Sequence, residues 1–331
     1  MDRLNIYSRS DVDNLIIYRG GETKLGEKVE IYADTEANFS SGDSISIENL
    51  ASSKAKFVLL GIPEDIGVRA NSGISGASTT WRPALMAFLN IQSNQYLSGA
   101  EIMVLGHFEI EEPADSSVAG LRKKVSEIDA LVYPIVEKIV KAGKIPVVIG
   151  GGHNNAYPII KGVSKAKGHS IDVLNVDAHA DLRDKEGRHS GNGFTYALSE
   201  NYLDNYFMYG LHQNYNNEVI LNQIATNPKL KAVFFDDILK GLDSSFPKKM
   251  ISSGLEIDLD CIQNVLSSAE TPSGFAVNDI RKLILTSEKA FSYLHISEGA
   301  TRLLDGRFSK LTSKLIAYLI SDFVKAQLNK F

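Results

Sequence analysis

The chain has 331 residues, of which 44% are hydrophobic and 23% are charged, and its net charge is −5 at pH 7. This acidic balance, with no Lys/Arg block interleaved with aromatic residues, argues against a nucleic-acid partner. The single cysteine, Cys261, excludes a disulfide framework and a thiolate zinc site. Neither a secretory leader nor an apolar run of the ~18 residues that span a bilayer is evident. We therefore expect a soluble, cytoplasmic protein with no membrane partner.

The first 55 residues are polar and irregular, and SSGDS at residues 40–44 is their most loop-like part. They contain too few apolar residues to bury a core of their own. We therefore predict that residues 1–55 are an N-terminal elaboration packed on a single catalytic domain, residues 56–331.

Eight short apolar runs bounded by turn residues predict buried strands. They are Lys56–Ile62, Ile102–Leu105, Ile145–Gly150, Ile171–Val176, Tyr206–Tyr209, Ala232–Phe235, Leu255–Asp260 and Phe291–Ile296. Helical spacing of apolar residues predicts helices over Ser126–Ala142, with a kink at Pro134, and over Ser309–Gln327. Apolar strands alternating with amphipathic helices predict an α/β fold: a three-layer α/β/α sandwich around a mostly parallel sheet of about eight strands.

Three of the predicted strands end in residues that can bind metals, and ligands of such sheets bind beyond the carboxyl ends of the strands. The first ends in GGGH, residues 150–153, the second in DAHAD, residues 177–181, and the third in DLD, residues 258–260. His153 alone would be a satisfied histidine at a helix start, and an isolated DxD is commonly a solvated strand end or a cap.

The DAHAD run is the strongest of the three signals because an apolar strand leads straight into it. In an extended backbone, Asp177, His179 and Asp181 point to one face. Ionised carboxylates buried together without a cation are costly, so a metal is the simplest partner.

The three motifs supply four aspartates and two histidines. The four negative charges of the aspartates balance the charges of two divalent cations. Carboxylate and imidazole without thiolate favour Mn²⁺, with Fe or Co as alternatives. Two metals that share a water lower its pKa and make it a nucleophile near neutral pH. The residues thus predict a dinuclear metallohydrolase. The candidate ligands are His153, Asp177, His179, Asp181, Asp258 and Asp260.

GGGH, DAHAD and DLD in this order at strand ends resemble the ureohydrolase superfamily of arginases, agmatinases and formimidoylglutamases. The resemblance covers about Leu59 to Glu298 and implies an arginase-like fold with two Mn²⁺ per chain. It implies one ion held by His153, Asp177, Asp181 and Asp258, and the other by Asp177, His179, Asp258 and Asp260. It also implies hydrolysis of a guanidine or amidine carbon by a metal-bridging hydroxide, and usually a homotrimer or homohexamer.

A fourth strand exit carries Ser297-Glu298, where similar enzymes place a glutamate that binds the cationic nitrogen of the substrate. Asp181 and Glu298 are therefore our candidate catalytic carboxylates. The alternative for Glu298 is a surface carboxylate or a neighbour of a helix N-cap.

The loop that follows DAHAD separates the members of the superfamily. Arginases keep an SGN here, which Ser190 and Asn192 match, and then place a histidine that shuttles a proton. This chain has Gly193-Phe194 instead. That SGxxF pattern, and GVRANSGISGA at residues 67–77, look more like formimidoylglutamases.

N-formimidoyl-glutamate carries two carboxylates, for which cationic partners are expected. Arg69, Arg183 and Arg188 lie in suitable loops, although each is as readily a surface arginine. His189 or His212 could replace the missing shuttle histidine, although a lone loop histidine is more often polar surface.

These features predict a Mn-dependent formimidoylglutamase that converts N-formimidoyl-L-glutamate into L-glutamate and formamide. The nearest alternative is an arginase, and an agmatinase is less favoured because SGN suits a substrate with an α-carboxylate. An inactive scaffold and a zinc deacetylase remain as different classes. The converging carboxylates argue against an inactive scaffold, which has no need of them. The DLD motif, which completes a second metal site, argues against a zinc deacetylase.

Overall fold

A computed structural model of the chain describes residues 2–32, 47–242, 253–328 and 330. The SSGDS stretch at residues 40–44 lies outside them. The described strands form one sheet of ten members. They are β1 (Arg3–Ile6), β2 (Glu30–Ile31), β3 (Phe57–Gly61), β4 (Ile102–Glu109), β5 (Ile145–Ile149), β6 (Ile171–Val176), β7 (Leu203–Leu211), β8 (Leu230–Phe234), β9 (Gly254–Asp258) and β10 (Tyr293–Ser297).

The strand order is β1-β4-β3-β5-β10-β9-β6-β7-β8, with β2 also paired to β4. Every pairing is parallel except that of β1 with β4, so the predicted mostly parallel sheet is confirmed. The predicted count of about eight is wrong by two, and both additional strands, β1 and β2, come from the first 32 residues. β1 has the sequence RLNI and lies at the sheet edge, where one exposed face leaves no long apolar run to recognise.

Ten α-helices are described besides short 3₁₀ turns. They are α1 (Arg9–Asp13), α2 (Ile66–Ala70), α3 (Trp81–Leu89), α4 (Val118–Lys141), α5 (Ala156–Lys167), α6 (Gly193–Ser199), α7 (Glu218–Thr226), α8 (Phe235–Leu239), α9 (Val277–Thr286) and α10 (Leu311–Leu328).

The helices cover both faces of the sheet. One hydrophobic core joins the sheet to α1, α3, α9 and α10. A second core joins the opposite face to α4, α5, α6 and α7. The three-layer α/β/α prediction is therefore confirmed. None of the helices in the described part of the chain is both long and apolar enough to cross a bilayer.

Helix α4 is longer than its pattern predicted. It begins at Val118 rather than at Ser126, because the Ser117 hydroxyl caps it by accepting a hydrogen bond from the Gly120 amide. The helix continues through Pro134 to Lys141, and the positive φ of Gly143, 74°, follows its end.

The N-terminal segment is joined to the rest of the molecule by pairing and packing. Besides the contacts of β1 and β2 with β4, Nε1 of Trp81 donates a 3.0 Å hydrogen bond to the hydroxyl of Tyr7. The division into an elaboration and one catalytic domain stays a prediction.

Candidate metal centre

Four neighbouring strands of the sheet, in the order β5-β10-β9-β6, end at one place. His153 follows β5, Glu298 follows β10, Asp258 ends β9, and the DAHAD run follows β6. All the predicted strand exits are therefore adjacent, as expected for ligands beyond the carboxyl ends of parallel strands.

The glycines of GGGH let the chain turn tightly beside other backbone. Gly151 has a φ of 79°, and a Cβ there would lie 2.8 Å from the carbonyl oxygen of Ile62. The turn is held by the buried carboxylate of Glu64, which accepts hydrogen bonds from the Gly152 amide and from the side-chain amide of Asn155, at 3.2 and 2.6 Å. Nothing in the sequence indicated that Glu64 supports the GGGH turn.

The DAHAD ligands converge for a different reason from the one predicted. Strand β6 ends at Val176, so the extended-backbone argument does not apply to Asp177, His179 and Asp181. Instead, the Asp177 carboxylate accepts a 2.7 Å hydrogen bond from the His179 amide, and Asp181 has a φ of 49°. An aspartate that bonds the backbone two residues on makes a compact turn.

DLD uses the same device. Asp258 is the last residue of β9, and its carboxylate accepts a 2.9 Å hydrogen bond from the amide of Asp260, which lies in a 3₁₀ turn. In both motifs one oxygen of the first carboxylate accepts from the backbone, and the other oxygen lies 3.1 Å from Nδ1 of His153. In Asp177 this second oxygen also accepts a 2.9 Å hydrogen bond from the side-chain amide of Asn175.

Around His153 the donor geometry fits a metal ion. Its buried Nδ1 has no hydrogen-bond partner among the described residues, yet it lies 3.1 Å from one oxygen each of Asp177, Asp181 and Asp258. Adjacent ligands of an octahedral divalent ion bound at about 2.1 Å lie about 3 Å apart. One imidazole nitrogen equidistant from three carboxylates is therefore the arrangement that a shared cation would produce.

A second group lies beside the first. Nδ1 of His179 is 3.1 Å from Asp260 and 3.6 Å from Asp177. Asp177 belongs to both groups, and Asp258 joins only the first by proximity of its ligand atoms. Atoms of Asp177 thus lie near both groups and those of Asp258 near the first, and the bridging roles of both carboxylates stay predictions.

The carboxylates of the cluster repel one another in a buried space. Burial, reinforced by the charges of Asp260 and Asp177, holds the pKa of Asp258 well above its usual range. Burial likewise raises the pKa of Asp260 to about 6, against the opposing effect of His179. Carboxylates in this state are stabilised in their charged form by a nearby cation.

Behind His153 lies a second layer of buried polar groups. Glu256 accepts hydrogen bonds from Nδ1 of His295 at 2.6 Å and from the Tyr293 hydroxyl at 2.7 Å, and its carboxylate lies 3.5 Å from Nε2 of His153. Support of a metal-binding imidazole by a carboxylate fixes the ring orientation. Glu256 is therefore positioned to orient the ring of His153.

A pocket of about 240 Å³ opens above the cluster. His179, Asp181, Asp258, Asp260 and Glu298 form its floor. Its walls are formed by Asn71, Arg183, Ser190 and Gly191 on one side, by Tyr215, Asn216, Asn217 and Ile220, and by Ser268 and Ala269.

Only one of the three candidate arginines lines this pocket. Arg183 does so, donating to Asn71 at 2.7 Å and to Glu186 at 2.6 Å. Arg69 is instead paired with Asp65 and with both oxygens of Glu112.

Arg188 is buried behind the pocket wall, so the prediction that it binds substrate has no support in the geometry. Its guanidinium is paired with Asp129 and lies against the rings of Tyr157 and Tyr196. Asn192, a candidate substrate-binding residue, is also buried there and accepts a 2.7 Å hydrogen bond from Arg188. Ser190, by contrast, lines the pocket.

The structure brings neither candidate shuttle histidine into the pocket lining. His189 is buried, and its Nε2 lies 3.1 Å from Glu186. His212 is stacked between Tyr215 and Phe235.

Two wall residues that the sequence did not single out contact the turn that carries the candidate ligands. The Asn216 side chain accepts from the Ala180 amide and donates to the Ala178 carbonyl, at 2.9 and 3.1 Å. The ring of Tyr215 packs on His179 with centroids 5.6 Å apart. An asparagine and a tyrosine in a loop give no signal that distinguishes this role.

Comparison with known proteins agrees with these features. The model of the arginase family matches residues 55–298. The formimidoylglutamase of Macrococcus caseolyticus is 27% identical over 305 residues, covering 87% of this chain and 92% of that protein.

Solved structures of similar proteins confirm the predicted arginase-like fold. The formimidoylglutamase from Bacillus subtilis has a TM-score of 0.72 at 16% identity, covering 95% of this chain and 94% of that one. The formiminoglutamase of Trypanosoma cruzi, solved with Mn²⁺, has a TM-score of 0.66 at 18% identity, covering 92% of this chain and 98% of that one.

Proposed function

The chain belongs to the arginase family, and from this premise we propose that it is a manganese-dependent hydrolase of N-formimidoyl-L-glutamate. The products would be L-glutamate and formamide. The observation that carries the proposal is the group of three carboxylates equidistant from His153 beneath a pocket walled by Arg183 and Ser190. Relatives named formimidoylglutamase support the choice of substrate within the family.

We infer two Mn²⁺ per chain, one held by His153, Asp177, Asp181 and Asp258 and the other by Asp177, His179 and Asp260, with Asp258 as a further ligand. The T. cruzi structure, which contains Mn²⁺, supports the choice of metal. When bound, such ions make water nucleophilic near neutral pH and polarise the carbon that it attacks.

Glu298 would bind the cationic amidine. It lies on the pocket floor with a buried carboxylate, one oxygen of which accepts a hydrogen bond from the His153 amide. A fixed carboxylate beside a planar cation orients its carbon for attack.

Arg183 and Ser190, on the wall, would bind the carboxylate end of the substrate. Asn71 joins them, because its side-chain amide accepts from Arg183 at 2.7 Å and donates to the Ser190 hydroxyl at 3.3 Å.

The reaction breaks the bond between the formimidoyl carbon and the glutamate nitrogen while the oxygen of water adds to that carbon. The leaving nitrogen needs a proton. Asp181 lines the pocket and lies 3.1 Å from His153, so we assign it to carry the proton from the attacking water to that nitrogen.

Steady-state turnover of the Mn²⁺-loaded protein on N-formimidoyl-L-glutamate, L-arginine and agmatine tests this proposal. We expect kcat/KM for the first substrate to exceed the others by a hundredfold or more, about 2.7 kcal/mol of transition-state discrimination. Preference for arginine would overturn the substrate and would favour an arginase. Failure to bind two Mn²⁺ per chain at saturating metal would overturn the enzyme assignment and favour an inactive scaffold.

Two further expectations accompany the proposed activity. We propose a cytoplasmic location, consistent with the small amino-acid-derived substrate. We also propose a homo-oligomer, a trimer or hexamer as the resemblance implies, which light scattering of the purified protein would test.

A further inference from the structure

A second cleft, of about 520 Å³, lies between the N-terminal segment and the C-terminal helix. Its walls come from residues 17–24, from α3 and the turn after it, from α9 and from α10. Its size is within the range of small-molecule sites. It shares no lining residue with the pocket above the metal cluster.

Cationic side chains dominate this cleft. Five line it: Arg19, Lys24, Arg281, Lys314 and Lys325. Two carboxylates offset part of this charge, since Asp322 is paired with Arg281 and Glu22 with Lys24. The cleft therefore carries an excess of three positive charges in a protein whose net charge is −5. Like charges gathered in one concavity raise the local concentration of anions.

One side of the C-terminal helix α10 lines the cleft. Lys314, Tyr318, Ser321 and Lys325 lie on one stripe of α10, because spacings of four, seven and eleven residues return to the same side. Lys314 and Lys325 form no ion pair with any residue of the described ranges. Their ammonium groups are therefore available to a ligand.

Helix α9 contributes a fixed guanidinium, which lies against α10. Arg281 donates to Asp322 at 2.6 Å and stacks 4.5 Å from the centre of the Tyr318 ring. A guanidinium held from two sides binds an anion with little loss of freedom. Apolar wall atoms of Ala87, Ile91 and Ala317 would contact a carbon skeleton.

We propose that this cleft binds a small organic anion bearing two or more negative charges, either phosphate or carboxylate groups. Arg281, Lys314 and Lys325 make the principal contacts. Arg19 and Lys24 add positive charge from the N-terminal segment, so the anion links that segment to α9 and α10.

Two probes, inorganic phosphate and succinate, test the proposal on the Mn²⁺-loaded protein freed of unbound metal, against chloride at matched ionic strength. Amine acetylation read by mass spectrometry locates binding. We expect one probe or both to slow acetylation of Lys314 and Lys325 at least about threefold, with saturation. Lys310, exposed just before α10, serves as the internal control and is not protected.

Thermal unfolding provides the second readout. We expect a saturable rise in Tm of about 2 °C or more, absent from the Lys314→Gln/Lys325→Gln double variant and retained in Lys310→Gln. A larger effect of phosphate assigns a phosphorylated ligand, and a larger effect of succinate assigns a dicarboxylate.

Three results would overturn the proposal. The first is no protection by either anion, and the second is a Tm rise that is linear in salt and equal in all variants. The third is resistance of Lys314 and Lys325 to acetylation without any anion, together with a change in oligomeric mass in the double variant. That result would mean that a second copy of the chain covers the cleft.

Discussion

The main-chain amide of His153 donates a 2.9 Å hydrogen bond to Oε1 of Glu298. This bond joins the exits of β5 and β10, which are neighbours in the sheet. It ties the candidate substrate-binding carboxylate directly to the backbone of a candidate metal ligand. Glu298 also adopts a φ of 60°, which is unusual for a residue with a side chain. Backbone strain of this kind clusters at functional sites, where the surrounding structure maintains it.

Replacing Glu298 with glutamine should damage substrate use and leave the metals in place. The amide oxygen of Glu298→Gln can still accept the hydrogen bond from His153, but the negative charge that would bind the amidine is lost. We expect kcat/KM to fall by about two to three powers of ten, with the Mn²⁺ content of the wild type measured by elemental analysis. An unchanged kcat/KM would remove Glu298 from the substrate site.

Asp258→Ala should abolish turnover and weaken metal binding. The substitution removes one of three carboxylates that lie 3.1 Å from His153. We expect at least about a thousandfold loss in kcat/KM and fewer than two Mn²⁺ per chain by elemental analysis. Asp184→Ala, in the exposed loop after DAHAD, is the matched control and should retain both. Full activity and stoichiometry in Asp258→Ala would show that Asp258 is not a ligand.

Gly254→Ala should destabilise the support behind the metal cluster. A Cβ at Gly254 would lie 2.0 Å from a ring carbon of Tyr293, whose hydroxyl donates to the buried Glu256. Overpacking of this kind costs about 1–3 kcal/mol. Chemical denaturation of the metal-loaded protein measures the loss. Gly20→Ala is the control, because nothing lies within 4 Å of a Cβ there. Equal stability of the two variants would show that the Tyr293 ring moves aside freely.

The sequence predicts the centre of this molecule better than its margins. Buried parallel strands are nearly continuous apolar runs, so β3, β5 and β6 are recognisable without any knowledge of their neighbours. The edge strand β1 depends on pairing with β4, about a hundred residues away, and its short polar sequence carries no equivalent signal.

The same distinction holds within the site. GGGH, DAHAD and DLD combine candidate ligands with local turns, so short segments specify the candidate metal centre. The position of Arg188 depends on Asp129, 59 residues away, and on two tyrosine rings. Sequence alone could place Arg188 in the correct loop. A buried ion pair with a distant residue, however, turns its side chain away from the pocket.

The buried side chain of His189, which accepts a hydrogen bond from the amide of the wall residue Gly191, makes a pH-dependent contribution to stability. Burial lowers the pKa of its imidazole to about 4, an effect that Glu186 opposes and that Arg183 and Arg122 reinforce. In the unfolded chain a histidine titrates near 6.5. Between about pH 6.5 and 4, therefore, the unfolded chain binds a proton that the folded chain excludes, and acid favours unfolding through this residue.

We therefore predict that the stability difference between wild type and His189→Gln depends on pH. The variant has no imidazole to take up this proton on unfolding. Its loss of unfolding free energy relative to the wild type, measured at pH 7, should therefore shrink by about 2 kcal/mol as the pH falls to 4.5. Chemical denaturation of both proteins at pH 4.5, 5.5, 7 and 8 measures the difference, in which titrations common to both proteins cancel. Between pH 7 and 8 the difference should be constant. A difference that is also constant from pH 7 to 4.5 would show that His189 titrates equally in both states, contrary to the burial of its side chain.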